Sequence, residues 1–193
     1  MVKRERLDKG FCPVCGRPLL YQEGEGIATL KDGNMICADC IRKLRPMYPQ
    51  RYVQKKGGKG WDKDEPLAAL SLDEAKAGID GIPEYIDGLR TQYGYRSAVI
   101  AVDSVRQEKG GFLKPPVLFV QGRVLYGDFD PEDEVTVVHG GSETKTKILD
   151  SRNRAASSDY WGSGTHLWGG STCEYVQFSQ KGLEIQAGDL IVK

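Results

Sequence analysis

Two Cys-x-x-Cys pairs, Cys12/Cys15 and Cys37/Cys40, constrain this chain more than any other feature, and 21 residues separate them. Four thiolates at this double spacing suit one tetrahedral Zn2+ with Zn–S bonds of about 2.3 Å. Four protein ligands close the tetrahedron and leave no position for water or substrate, so the expected role is structural. Residues 1–10 are charged and contain no apolar run, so no secretory signal is expected there. Stable disulfides are then not expected, and iron–sulfur ligation by the same thiolates is the remaining alternative. The fifth cysteine, Cys173, enters an apolar run with Tyr175, Val176 and Phe178 and reads as a buried, inert thiol.

The residues around the pairs suggest how they are held. Phe11-Cys12-Pro13-Val14-Cys15-Gly16 reads as a zinc knuckle, with Pro13 and Gly16 shaping its turn. Extended runs follow at Leu19–Tyr21 and Ile27–Leu30, and Asp32-Gly33 signals a turn. The second pair opens a helical stretch from Cys37 to Leu44. Knuckle, hairpin and helix in this order make the treble-clef arrangement. Residues 1–45 form too small a core to fold well alone, so metal binding is expected to supply much of their stability. Cys12-Pro13-x-Cys15-Gly16, Lys31-Asp32-Gly33 and Ile36-Cys37-x-Asp39-Cys40 with Leu44 resemble a small four-cysteine bacterial domain of unknown function. That resemblance implies zinc and nothing about activity.

The net charge is zero, but residues 1–66 hold 14 Lys/Arg against 9 Asp/Glu. The surplus concentrates after the second pair, in Arg42, Lys43, Arg45, Arg51, Lys55, Lys56 and Lys59, with Lys63 beyond. Tyr48, Tyr52 and Trp61 are interleaved, so the cations can meet phosphate while the rings stack on bases. The rival reading is a solvated basic linker, for which Lys55-Lys56-Gly57-Gly58-Lys59-Gly60 has the composition. Residues 46–96 are therefore expected to be a basic linker followed by short helices. Ser71-Leu72-Asp73-Glu74 is a capping box, Gly78 and Gly81 are expected to end the first helix, and Pro83 to begin a second. Ile82, Tyr85, Ile86 and Leu89 give that second helix an apolar face.

From residue 97 the pattern changes to alternating, β-branched strands at Val99–Val105, Val117–Tyr126, Glu134–His139, Thr144–Leu149, Glu174–Phe178 and Leu190–Val192. Short strands at this spacing predict a small closed barrel over 97–193, and the fold class expected for the whole chain is α+β, β-rich. Here Phe119-Val120-Gln121-Gly122-Arg123-Val124, Gly127, Asp133-Glu134-Val135, Gly182-Leu183-Glu184-Ile185 and Ala187-Gly188-Asp189-Leu190-Ile191-Val192 resemble domain II of the Tu-type translation elongation factor family. Position 132 is Glu where that family carries Gly. The resemblance implies a barrel that contacts RNA or the ribosome. The family's GTPase domain has no counterpart in this sequence, so no nucleotide hydrolysis is expected.

Residues 152–172 depart from that family and are rich in Ser and Gly. They carry Tyr160, Trp161, His166 and Trp168, candidates for a ligand or partner site, or else rings that fold back as a cap. Asp128, Asp130, Glu132, Asp133 and Glu134 read as a solvated acidic turn and lack the calcium-loop pattern. No nucleophile and base can be assembled into a catalytic set. The expectation is a cytoplasmic, non-enzymatic zinc adaptor with no membrane partner, contacting RNA or a ribonucleoprotein. The rivals are a protein-interaction module that uses residues 152–172 and an enzyme with a pocket there.

Overall fold

The computed structural model describes residues 7–21, 27–49, 51–54, 61–109, 116–153, 164–180 and 182–193. The described residues open with a hairpin of β1 (Leu7–Phe11) and β2 (Pro18–Tyr21), whose turn carries the first cysteine pair. A second hairpin, β3 (Ala28–Thr29) and β4 (Met35–Ile36), leads directly into α1 (Ala38–Leu44). The expected basic linker is in part a third hairpin, β5 (Arg51–Gln54) with β6 (Trp61–Asp64). Tyr52, Val53 and Trp61 have the β-propensity for this, and the Gly-rich residues that connect the strands lie outside the described residues.

The expected pair of short helices is one helix, α2 (Leu72–Gln92), with Gly78, Gly81 and Pro83 inside it. Ser71 caps its start as a complete capping box with Glu74. Interior Gly and Pro cost about 1 and 3 kcal/mol, so packing must offset them. It does so at both ends. Leu72, Ala75 and Ile79 enter a core with Cys12, Leu19, Ile36, Ile41 and Leu44. Ile86, Leu89 and Tyr93 cover Val99, Tyr126 and Val192 on the outside of the large sheet. Gly78 fits this crossing: a Cβ there would stand 2.8 Å from Leu44 Cδ2 and 3.3 Å from the Tyr48 ring, so those side chains would have to shift to admit one.

The capping box is also an electrostatic lock. The Lys31 ammonium, 2.7 Å away, and the Ser71 N–H hold the Glu74 carboxyl at about 2, against an ordinary 4.5. A depressed carboxylate stabilises the fold fully above its ordinary value and stops doing so as it protonates. Helix content followed by circular dichroism should therefore fall as the pH drops from about 4.5 towards 2, and Glu74→Gln should flatten that dependence. An unchanged profile in Glu74→Gln would refute the lock.

The C-terminal strands are β7 (Val99–Glu108), β8 (Val117–Tyr126), β9 (Asp128–Phe129), β10 (Glu134–His139), β11 (Ser142–Lys147), β12 (Asp150–Asn153), β13 (Leu167–Trp168), β14 (Thr172–Ser179) and β15 (Leu190–Val192). Seven of them form one antiparallel sheet in the order β11-β10-β15-β7-β8-β14-β12, and β9 pairs with β13 apart from it. The sheet curls around Ile100, Val120, Val137, Val176, Phe178 and Ile191, but it is a half-barrel rather than the closed barrel expected from the strand spacing. Closure would need a ladder between its edges, β11 and β12. Instead Ile148, between them, turns a fully buried side chain into the core, and the backbone N–H groups of Ile148 and Leu149 bond Asp133 and Gln177 on opposite sides.

Two motif positions have clear reasons. A Cβ on Gly122 would lie 2.3 Å from the Ala101 carbonyl oxygen, so glycine lets β7 and β8 cross closely beside the irregularity at Val102/Ser104. Glu132 adopts φ 76°, the left-handed conformation that glycine favours. The turn thus keeps glycine geometry with a glutamate in it, and the Glu132 carboxylate pairs with Lys147 at 2.5 Å.

Candidate metal centre and its junction with the sheet

The β1–β2 turn and the start of α1 bring the four cysteines together. Their Sγ atoms all lie within 4.8 Å of one another. Cys12 and Cys40 are 3.8 Å apart, and Cys15 and Cys37 3.5 Å. A tetrahedron with bonds of about 2.3 Å has edges of about 3.8 Å, so the donor set fits one tetrahedral ion. The knuckle is held by Gly16 N–H donating to the Cys12 carbonyl at 2.7 Å and Cys12 N–H to the Arg17 carbonyl at 2.8 Å. Cys12 and Cys40 are buried, whereas Cys15 is exposed.

The thiols do not titrate alike. Burial pushes Cys12 up, but N–H groups of Cys37, Cys15 and Val14 outweigh it and bring the thiol to about 7. Burial and the neighbouring thiols push Cys40 up, and burial does the same to Cys37. Crowded sulfurs resist sharing negative charge, which a divalent cation among them would relieve. Among the described residues, these four are the one such cluster of possible metal ligands. Burial also pushes Cys173 well up, in keeping with an inert thiol.

The helix that carries Cys40 also joins the cysteine cluster to the half-barrel. Its last turn holds Arg42 and Lys43, where cations offset the helix dipole. Arg42 Nη2 lies 3.5 Å from His166 Nε2 and 3.6 Å from Asp128 Oδ1, and His166 Nδ1 is 2.9 Å from Asp130 Oδ1. Trp168, 5% exposed, stacks against His166 with centroids 6.2 Å apart. Gly170 sits directly on the helix end: a Cβ would come within 2.1 Å of the Arg45 carbonyl carbon.

A groove of about 440 Å3 opens at this junction. Arg17, Asp39, Arg42 and Lys43 come from the cysteine side, Ile82 from α2, and Asp128 and Trp168 from the β9–β13 ribbon. Candidate residues from two distant parts of the chain thus meet. Arg42 and Lys43 face the groove, Trp168 lines it, and His166 braces Arg42 and Asp128 beside it. Arg45 turns elsewhere, forming a bidentate pair with Glu65 at 2.6 and 2.7 Å. Arg51 lies on β5, in the hairpin beyond. Lys55, Lys56, Lys59, Tyr160 and Trp161 lie outside the described residues.

The acidic turn is largely exposed, as its composition suggests, and its carboxylates also make side-chain contacts across the fold. Asp128 and Asp130 hold His166, Glu132 holds Lys147, and Asp133 holds Lys193 at 2.7 Å. Reading the sequence missed Arg17, Asp39 and Ile82 as groove residues. No local signal marks them, because their role depends on which elements meet.

No family model matches the chain, and no curated protein matches it. Solved structures similar to it include translation elongation factor SelB from Methanococcus maripaludis in complex with the GTP analogue GPPNHP, at 17% identity and a TM-score of 0.37. That match covers 62% of this chain and 25% of the other. A bacterial selenocysteine-specific elongation factor EF-Sec is similar at 17% identity and a TM-score of 0.35, over 62% of this chain and 19% of that one. This chain therefore corresponds to no more than a quarter of either.

Proposed function

We propose that the cysteine cluster holds one structural Zn2+ in a treble-clef module, and that the protein is a non-enzymatic adaptor that binds RNA or a ribonucleoprotein. The observation that carries this reading is that two of the four clustered cysteines, Cys37 and Cys40, open α1, the helix that presents Arg42 and Lys43 beside Trp168. Zinc supports the geometry of the cations, because two of its ligands, Cys37 and Cys40, sit at the start of that helix. The knuckle turn, the β3–β4 hairpin and α1 support the treble-clef reading. The resemblance of residues 119–135 and 182–192 to domain II of Tu-type elongation factors supports RNA as the ligand. No nucleotide hydrolysis belongs to this proposal.

Metal analysis of the purified chain should find one zinc. Binding to a single-stranded RNA should weaken linearly in log–log plots against salt, because each neutralised phosphate releases counterions. Replacing Lys55, Lys56 and Lys59 together by Ala should weaken binding and flatten the slope by up to about 2 units. Salt-independent binding, or none, would refute the RNA reading. A salt-insensitive complex with a protein would favour the interaction-module rival instead.

A further inference from the structure

We infer that the groove between α1 and the β9–β13 ribbon is a subsite for a single nucleotide unit, its phosphate at Lys43 and its base over the apolar floor. The inference rests on the nucleic-acid reading above and names where one unit of the strand is held. Volume is the first support: about 440 Å3 lies within the range of roughly 300–1,000 Å3 of small-molecule sites, which favour junctions between folding units.

Charge is the second. Two of the groove's cations are already paired, Arg17 with Asp39 and Arg42 with Asp128. Among the described residues, Lys43 has no carboxylate partner, so the lining carries one surplus positive charge. One phosphate diester matches that surplus. Arg17 and Arg42 stand beside Lys43, and both pairs are half exposed, so water screens them and either arginine can turn to a phosphate at little cost.

The floor is the third. Pro46, Ile82 and Trp168 converge from the end of α1, from α2 and from β13. A flat base would cover Pro46 and Ile82, while Trp168, 5% exposed and stacked on His166, backs the floor from beneath. The dipole of α1 accounts for Arg42 and Lys43 alone. It does not account for Arg17, from the opposite hairpin, or for an apolar floor built by three elements. The other large groove, about 490 Å3, is a poorer candidate because its Lys147 and Lys193 are paired with Glu132 and Asp133, and Glu134 in the lining offsets the charge of Lys145.

The test uses the full zinc-loaded chain and two probes, adenosine 5′-monophosphate and an oligoadenylate of about 12 nucleotides, a length within known single-strand site sizes. Nuclear magnetic resonance would follow the Trp168 indole N–H, assigned with Trp168→Phe, and the Gly169 amide. Both probes should shift these signals, and Lys43→Glu should weaken the mononucleotide roughly tenfold with zinc content unchanged. If the mononucleotide leaves both signals in place while the oligonucleotide binds elsewhere, the groove is not the subsite and the RNA reading stands. If the mononucleotide occupies the groove but the oligonucleotide does not bind, the subsite stands for a free nucleotide and the RNA reading falls. Wild-type affinity in Lys43→Glu would overturn the assignment of the phosphate.

Discussion

Cys40→Ser is expected to lose its metal and the fold around it together. Cys40 is buried, and it lies one turn below Leu44, which packs against α2 at Gly78. Structural Zn2+ contributes on the order of 10 kcal/mol to modules of this size, while the stability of a whole domain is about 5–15 kcal/mol. Removing one of four thiolates forfeits most of that contribution. Zinc content should drop from one per chain to near none in the presence of a mild chelator. Amide exchange should become fast through residues 28–44, while β7, β8 and β14 remain protected by their own core. The change should also abolish RNA binding that depends on Arg42 and Lys43. Retained zinc with slow exchange in α1 would overturn the assignment of Cys40 as a ligand.

Gly170→Ala is expected to separate the cysteine module from the half-barrel. The new Cβ would meet Arg45 C and O at 2.1 and 2.2 Å, and both are backbone atoms that cannot rotate away. Gly170 also has φ 83°, which L residues adopt at a cost of about 1–2 kcal/mol. With overpacking of about 1–3 kcal/mol, a loss of about 3 kcal/mol follows. Gly182→Ala is the control: φ is 71°, but nothing lies within 4 Å of the added carbon, so only the conformational cost applies. Denaturant midpoints should separate the two variants clearly. In Gly170→Ala, the exchange of α1 should also quicken more than that of β8. Equal losses in both variants would mean that the contact with Arg45 yields without consequence.

Some of this architecture was legible because its causes are local. The capping box at Ser71–Glu74 needs only four residues, and it starts α2 where the sequence places it. The strands from Val99 to Val192 follow the alternation of side chains, although their ends shift: β11 begins at Ser142 rather than Thr144 and stops at Lys147. The end of α2 was not legible. Gly78, Gly81 and Pro83 weaken a helix locally, and it continues because distant surfaces cover its two halves. Closure of the barrel was not legible either, since spacing along the chain counts strands without saying which of them will be left as the sheet's edges, here β11 and β12. Ile148 and Leu149 span the gap between those edges, with the Ile148 side chain buried in the core.

The candidate site divides in the same way. Cys-x-x-Cys spacing suits the geometry of a tetrahedral ion, so residue types at fixed intervals suffice to mark Cys12, Cys15, Cys37 and Cys40 as candidate ligands, and the fold brings the four together. The alternation of the strands and the capping box are likewise short-range physics written along the chain. The groove is different. Lys43 and Trp168 lie 125 residues apart in the sequence and share a wall only because Gly170 lets the end of α1 touch the turn after β13. Whether a lysine is free or paired, and whether a tryptophan is a floor or a cap, depends on which surfaces come together. That is a matter of long-range packing, and the tertiary structure alone decided it.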